Sequence, residues 1–338
     1  MPEIADTPSE NTSAFDLTIQ TEKIAFEPND LVACGSCGRK NPPTLFNCLY
    51  CANQLEIKTE NAAAIRHVSR RLEIWESGHN VIVRGQSATV DPARVARVLS
   101  MEAEEITAII ETGLPLPLAR VESEKEAMSI KTGLEQLGLK CLLVTDADLA
   151  ADKPPVRLSR IEFFDTSTAF IDFNTGTLTE IGNDDLVLLV HGVISVSRID
   201  TFEKKGRRGR SKLIDETATA SDESVLDIYG RHDVIGFRIH LAGFDFSCLG
   251  EKKGLLAAEN IRQLAIVLTD RFPGAKLVDD YKFVRQALGY VWEITSRKDS
   301  QGLQRSSFNG VKFGSIASTS NLNQFTKYSR MQRHLLNG

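Results

Sequence analysis

No run of about 18 consecutive apolar residues occurs in this 338-residue chain, which excludes a helix long enough to cross a bilayer. The nearest approach, Leu186 to Val196, reads instead as a buried strand. The opening MPEIADTPSENTSAFDLT carries acidic side chains and no apolar core, so a secretory signal is not expected there. Reaction motifs are missing as well. There is no G-x-S-x-G, no Walker loop, no H-E-x-x-H and no glycine fingerprint opening a helix after a strand. The six histidines are scattered, with His191 inside an apolar run and His232 beside Asp233 in turn-like sequence. These absences predict that the protein is not an enzyme. An excess of positive charge is also lacking: the formal net charge is -5 and the pI near 5.8, so any attraction to polyanions must be local.

Cysteine is scarce, yet four of the six residues stand together in CGSCGRKNPPTLFNCLYC. Cys34/Cys37 and Cys48/Cys51 form CxxC, ten residues, CxxC. Each CxxC folds as a tight knuckle that aims two thiolates at one point, and the gap lets the knuckles face each other. The spacing predicts one tetrahedral structural zinc ion per chain, with iron-sulfur ligation and a reducible dithiol as the alternatives. Four thiolates leave no open coordination position, so such a metal holds structure and does not activate water. Retention of free thiols fits a reducing compartment, and the expected localisation is cytoplasmic. Cys141 and Cys248 sit alone in apolar runs and read as small core residues.

Along the chain, residues 1–29 read as a polar, disordered leader, 30–57 as the zinc-binding module and 58–77 as a connecting helix. Residues 78–150 have a sharper pattern. Val81 to Val83 suggest a strand, Asp91-Pro92 caps a helix, and Ile106, Ile109 and Ile110 mark a second helix that stops at Gly113. LPLPLARV reads as an extended or edge segment, because its prolines exclude a helix. Ser123 and Glu126 match a capping box, the helix closes at Gly138, and Cys141 to Val144 form a final strand. After Lys153-Pro154-Pro155 the period becomes two. Strands are expected around Ile161–Phe163, Ala169–Phe173, Leu186–Val196, Val225–Ile228, Ile235–Leu241 and Phe244–Leu249, then a helix through Ile261 to Phe272 and another over 279–294. The overall expectation is a multidomain α+β protein: ribbon, small two-layer module, and a mostly antiparallel domain over 156–294. Residues 295–338, with seven basic and one acidic side chain, are expected to be a mostly disordered tail.

Three resemblances attach to these residues. The cysteine run is similar to zinc ribbons, and to the Ran-binding type of zinc finger through Asn41, separated from Cys37 by three residues and from Cys48 by six; Val32 stands where that finger has tryptophan. MEAEEITAIIETGLPLPLARVESEKEAMSIKTGLEQLGLKCLLV resembles the C-terminal domain of the bacterial ribosomal stalk protein, a fold shared with the Clp protease adaptor. That resemblance, over 78–146, implies recruitment of protein partners. The order of elements over 156–275 resembles a pleckstrin-homology-like barrel with a plugging helix.

The expected function is therefore a zinc-binding, non-enzymatic adaptor or scaffold that contacts other proteins, with no small-molecule substrate. A nucleic-acid-associated factor is the alternative, using the ribbon, the basic tail and the run Lys204, Lys205, Arg207, Arg208, Arg210, whose cations could contact phosphates. No aromatic interleaves those cations, so that run offers no platform for base stacking. A third reading is association with an anionic membrane surface through the β-rich domain.

Overall fold

The computed structural model describes residue 26 and residues 31–56, 59–86, 90–182, 184–205, 211–298, 306–308 and 311–337. The protein is mixed α+β. It forms two compact units: the smaller takes in its described residues up to Pro43 with Asn47–Glu56, and the larger takes Thr44–Phe46 with the described residues beyond Glu56.

The described residues of the smaller unit hold little regular structure. β1 (Val32–Ala33) pairs antiparallel with β2 (Lys40–Asn41), and Asn47 bridges Gln54 below the second knuckle.

In the larger unit, Thr59–Ala64 forms a single 3-10 stretch where a connecting helix is expected. Residues 67–78 then run as an irregular strap, because Arg120 donates to the carbonyls of Leu72, Glu73 and Glu76 and holds the backbone away from helical pairing. The next elements are β3 (His79–Gln86), α1 (Pro92–Leu99), α2 (Ala103–Ile110), β4 (Leu116–Val121), α3 (Glu124–Gln136) and β5 (Leu139–Thr145). This is the expected strand-helix-helix-strand-helix-strand order, with sheet order β4-β3-β5, all antiparallel and with β4 at an edge. Asp91 caps α1 through Ala93 N, and Gly113 and Gly138 take positive φ where their helices stop. Ser123 does occupy the N-cap of α3 but makes no side-chain capping bond; Glu126 instead accepts from Ser69 Oγ at 2.5 Å.

A ten-stranded sheet follows. Its members are β6 (Val156–Phe163), β7 (Ser167–Asp172), β8 (Leu178–Gly182), β9 (Leu186–Lys205), β10 (Ser211–Gly230) and β11 (Phe237–His240); then, after α4 (Ala257–Arg271), β12 (Lys276–Val278); then, after α5 (Tyr281–Leu288), β13 (Thr295–Lys298), β14 (Ser306–Phe308) and β15 (Val311–Ser320). The order β13-β15-β9-β10-β11-β6-β7-β8 has two free ends, so the sheet is open and not the barrel expected from the element order. Three strands from the segment read as a tail lengthen it, and β13 and β8 never meet. Phe246–Lys252 is a 3-10 turn capped by Asp245, not the strand its apolar content suggests.

The C-terminal segment differs most from expectation. α6 (Leu322–Asn337) buries Phe325, Tyr328 and Met331 completely, and Gln324, Lys327, Ser329 and Arg330 almost completely. Several of its polar groups find internal partners, while Tyr328 Oη and Arg330 Nε are buried without one. Arg330 donates to the carbonyls of Leu149, Ala150 and Lys153, Arg238 donates to Thr326 Oγ1, and Gln324 donates to the Trp292 carbonyl at 2.8 Å. One apolar cluster consequently joins Val81, Ile106 and Leu149 to Leu188, Tyr281 and Phe325, so residues 78–150 and 156–294 share a core instead of keeping separate ones. A second cluster lies between the sheet and α4, around Phe170, Leu226, Leu264 and Phe272.

Candidate metal centre

The smaller unit converges on sulfur. Gly38 N bonds the Cys34 carbonyl at 2.8 Å and Ala52 N bonds the Cys48 carbonyl at 2.9 Å, which closes each CxxC into a turn. Gly38 at φ 70° and Ala52 at φ 59° take the left-handed conformation that ends each turn. Both turns present two sulfurs inward. The Sγ atoms of Cys34 and Cys51 are 3.6 Å apart, as are those of Cys37 and Cys48, and all four lie within 4.8 Å of one another. A tetrahedral ion with metal-sulfur bonds of ~2.3 Å requires sulfurs roughly 3.8 Å apart, so these donors fit one ion. Among the described residues this is the one group of three or more Cys, His, Asp or Glu side chains that could hold a metal.

Asn41 fixes the two turns to each other. It is fully buried; its Nδ2 donates to the Arg39 carbonyl at 2.9 Å and to Cys48 Sγ at 3.4 Å, and its Oδ1 accepts from Leu49 N at 2.9 Å. Electrostatics follow from these contacts. Backbone N–H groups of Cys37 and Ser36 hold the Cys34 thiol below its ordinary range. Desolvation opposes ionisation of Cys48, but the N–H groups of Tyr50 and Cys51 and the Asn41 amide outweigh it and bring the thiol down to about 6. At Cys51 an N–H from Asn53 favours the thiolate, yet desolvation and the three neighbouring sulfurs push it up to about 12. Four acids at one point cannot all ionise unaided, and a dication at their centre removes that conflict.

Other ionisable side chains are placed as follows. Arg207, Arg208 and Arg210 lie outside the described residues, and of Lys204 and Lys205 only the backbone at the end of β9 is described. His191 is buried with Nδ1 2.7 Å from Asp279 Oδ1, and His232 is exposed in the turn after β10. Asp146 belongs to a buried ionic group with Arg120 and Lys327, and Asp148 caps the turn after Thr145. Asp185 pairs with Arg231. Burial pushes the thiols of Cys141 and Cys248 up to about 12 and about 11, which leaves both poorly reactive.

Spacing could not reveal what the knuckle displays. Leu49 and Tyr50 are 66% and 55% exposed between the two cysteines of the second knuckle, and the Arg39 guanidinium sits 4.6 Å from the Tyr50 ring centre. No helix among the described residues is long and apolar enough to cross a membrane. No family model, curated protein or solved structure matches the chain.

Proposed function

We propose that this protein is a zinc-stabilised adaptor that binds other proteins and performs no chemistry of its own. The observation that carries the reading is the convergence of four sulfurs around one point, with no vacant ligand position for a substrate. Zinc is the ion best matched to a tetrahedral set of thiolates that shows no other donor. Cys34, Cys37, Cys48 and Cys51 would hold it, and its contribution is to fold a segment too small to bury a sufficient core. The resemblance of residues 78–146 to ribosomal stalk and Clp adaptor domains supports protein recruitment, as does the matching order of β3, α1, α2, β4, α3 and β5. Recognition falls to Leu49 and Tyr50 on the second knuckle and to Arg39 beside the Tyr50 ring, exposed apolar and cationic groups of the kind that anchor protein contacts.

The test is quantitative crosslinking of the intact chain in cell extract, compared with the double variant Leu49→Ser, Tyr50→Ser. The expected result is that both forms carry metal while the variant loses the proteins captured by the wild type. Identical capture by both would overturn the assigned surface. Arg39, exposed over an aromatic ring, favours one second reading, contact with single-stranded nucleic acid. Under that reading RNA binding falls steeply as salt rises, whereas protein capture through an apolar tip changes little.

A further inference from the structure

A cleft of about 180 Å³ opens in the larger unit between the strap, the edge strand β4 and the chain just after α5. Its floor is apolar, formed by Leu99, Met101, Leu118, Val121, Ile130 and Val291. Its polar wall comes from the strap and β4: His67, Ser69, Arg70, Arg71 and Arg120. No Asp or Glu lines it. The volume falls below the ~300–1,000 Å³ of sites for drug-sized ligands, which excludes nucleotides and larger cofactors.

The cations differ in what they have left to offer. Arg120 is committed to Asp146 and to three strap carbonyls. Arg70 grips Glu76 through two bonds of 2.7 Å and reaches Glu122 at 3.0 Å. Arg71 donates through Nη2 to the Gly289 carbonyl and places Nε 3.2 Å from Glu293, so it clasps the strap to the end of α5. A guanidinium has five donors, and these contacts leave Arg71 with capacity for another acceptor. His67, 1% exposed, walls the same cleft with an Nδ1 that has no hydrogen-bond partner and lies 3.8 Å from Glu126.

We propose that this cleft is a binding site for a small organic acid with an apolar body, such as a short-chain carboxylate. The chain of the acid occupies the apolar floor, and its carboxylate is taken by Arg71 with support from Arg70. The carboxylate takes the donors that Arg71 has left beside its contacts to Glu293 and the Gly289 carbonyl.

Intrinsic fluorescence of the full-length, metal-loaded protein tests this, since the chain's two tryptophans both flank the cleft in sequence: Trp75 on the strap, 80% exposed, and Trp292 next to Val291. Titrations with hexanoate, 1-hexanol and inorganic phosphate separate charge from apolar contact. The expected result is a saturable change with hexanoate, at least tenfold weaker binding of 1-hexanol and none of phosphate. Arg71→Gln weakens hexanoate at least tenfold, and Ala119→Leu, which fills the cleft from β4, abolishes it, with metal content unchanged. Equal responses to hexanoate and hexanol, no saturable change, or hexanoate binding retained by Ala119→Leu would each overturn the proposal. If Arg71→Gln fails to fold, the alcohol comparison and Ala119→Leu decide it.

Discussion

At Asp146 several opposing effects meet on one carboxyl group. Burial works against its ionisation, but Lys327, the Asn80 amide and the Arg120 fork outweigh burial and hold the carboxyl below its usual range. Lys327 has the reverse balance. Its burial lowers the ammonium to about 8 despite the attraction of Asp146. The consequences have opposite signs. Asp146 contributes stability above its unfolded value, lost as pH falls through the depressed folded value. Below about pH 8, Lys327 is protonated both folded and unfolded, and its buried charge is a cost; between about 8 and the ordinary lysine range the native state releases the proton first, so stability rises with pH. Denaturant titrations of wild type and Lys327→Met across pH 7–10.5 should show the variant ahead at neutral pH, with the gap shrinking by roughly 2–3 kcal/mol as the lysine deprotonates. A constant gap would contradict this account. Arg120→Ala should cost about 3–5 kcal/mol in the same measurement, because it leaves Asp146 under-compensated and frees three strap carbonyls.

At the scale of elements, legibility followed how local the controlling physics is. α1 was readable because Asp91 and Pro92 write its start, and β4 because two prolines forbid a helix and suit an edge. α4 was readable from the stripe Ile261, Leu264, Ala265, Leu268. α6 was not, since Gln, Asn, Lys, Arg and other polar residues dilute its apolar side chains, and its burial depends on acceptors that lie far away in the chain: Leu149, Ala150, Lys153 and Trp292. Nor could spacing reveal that β15 pairs with β9, or that the sheet would stay open. Gly192 is where β9 admits α6, because a Cβ there would overlap the Phe325 ring. Gly192→Ala is therefore expected to destabilise the protein by ~1–3 kcal/mol and to raise hydrogen exchange along α6 before the rest of the core. Unchanged exchange in α6 would contradict its central packing.

For the whole molecule, two compact units of different kinds imply two kinds of stability. The larger is held by two apolar clusters and buried ion pairs; the described residues of the smaller show little beyond the sulfur cluster, two short strands and Asn41. Of the site, the four clustered cysteines were legible because CxxC geometry is local, whereas the arginine over Tyr50 and the thiol gradient from Cys48 to Cys51 depend on how the knuckles meet. A strong chelator should unfold residues 31–56 by NMR while the methyl signals of the larger core persist; loss of both together would show that the metal supports the entire chain. Cys37→Ser or Cys48→Ser should have the chelator's effect. Zinc-edge X-ray absorption combined with metal analysis of the purified protein is the most direct measurement. One zinc per chain with four sulfur neighbours at about 2.3 Å is the predicted result; a chain without metal, or a metal bound by nitrogen or oxygen, would contradict the account.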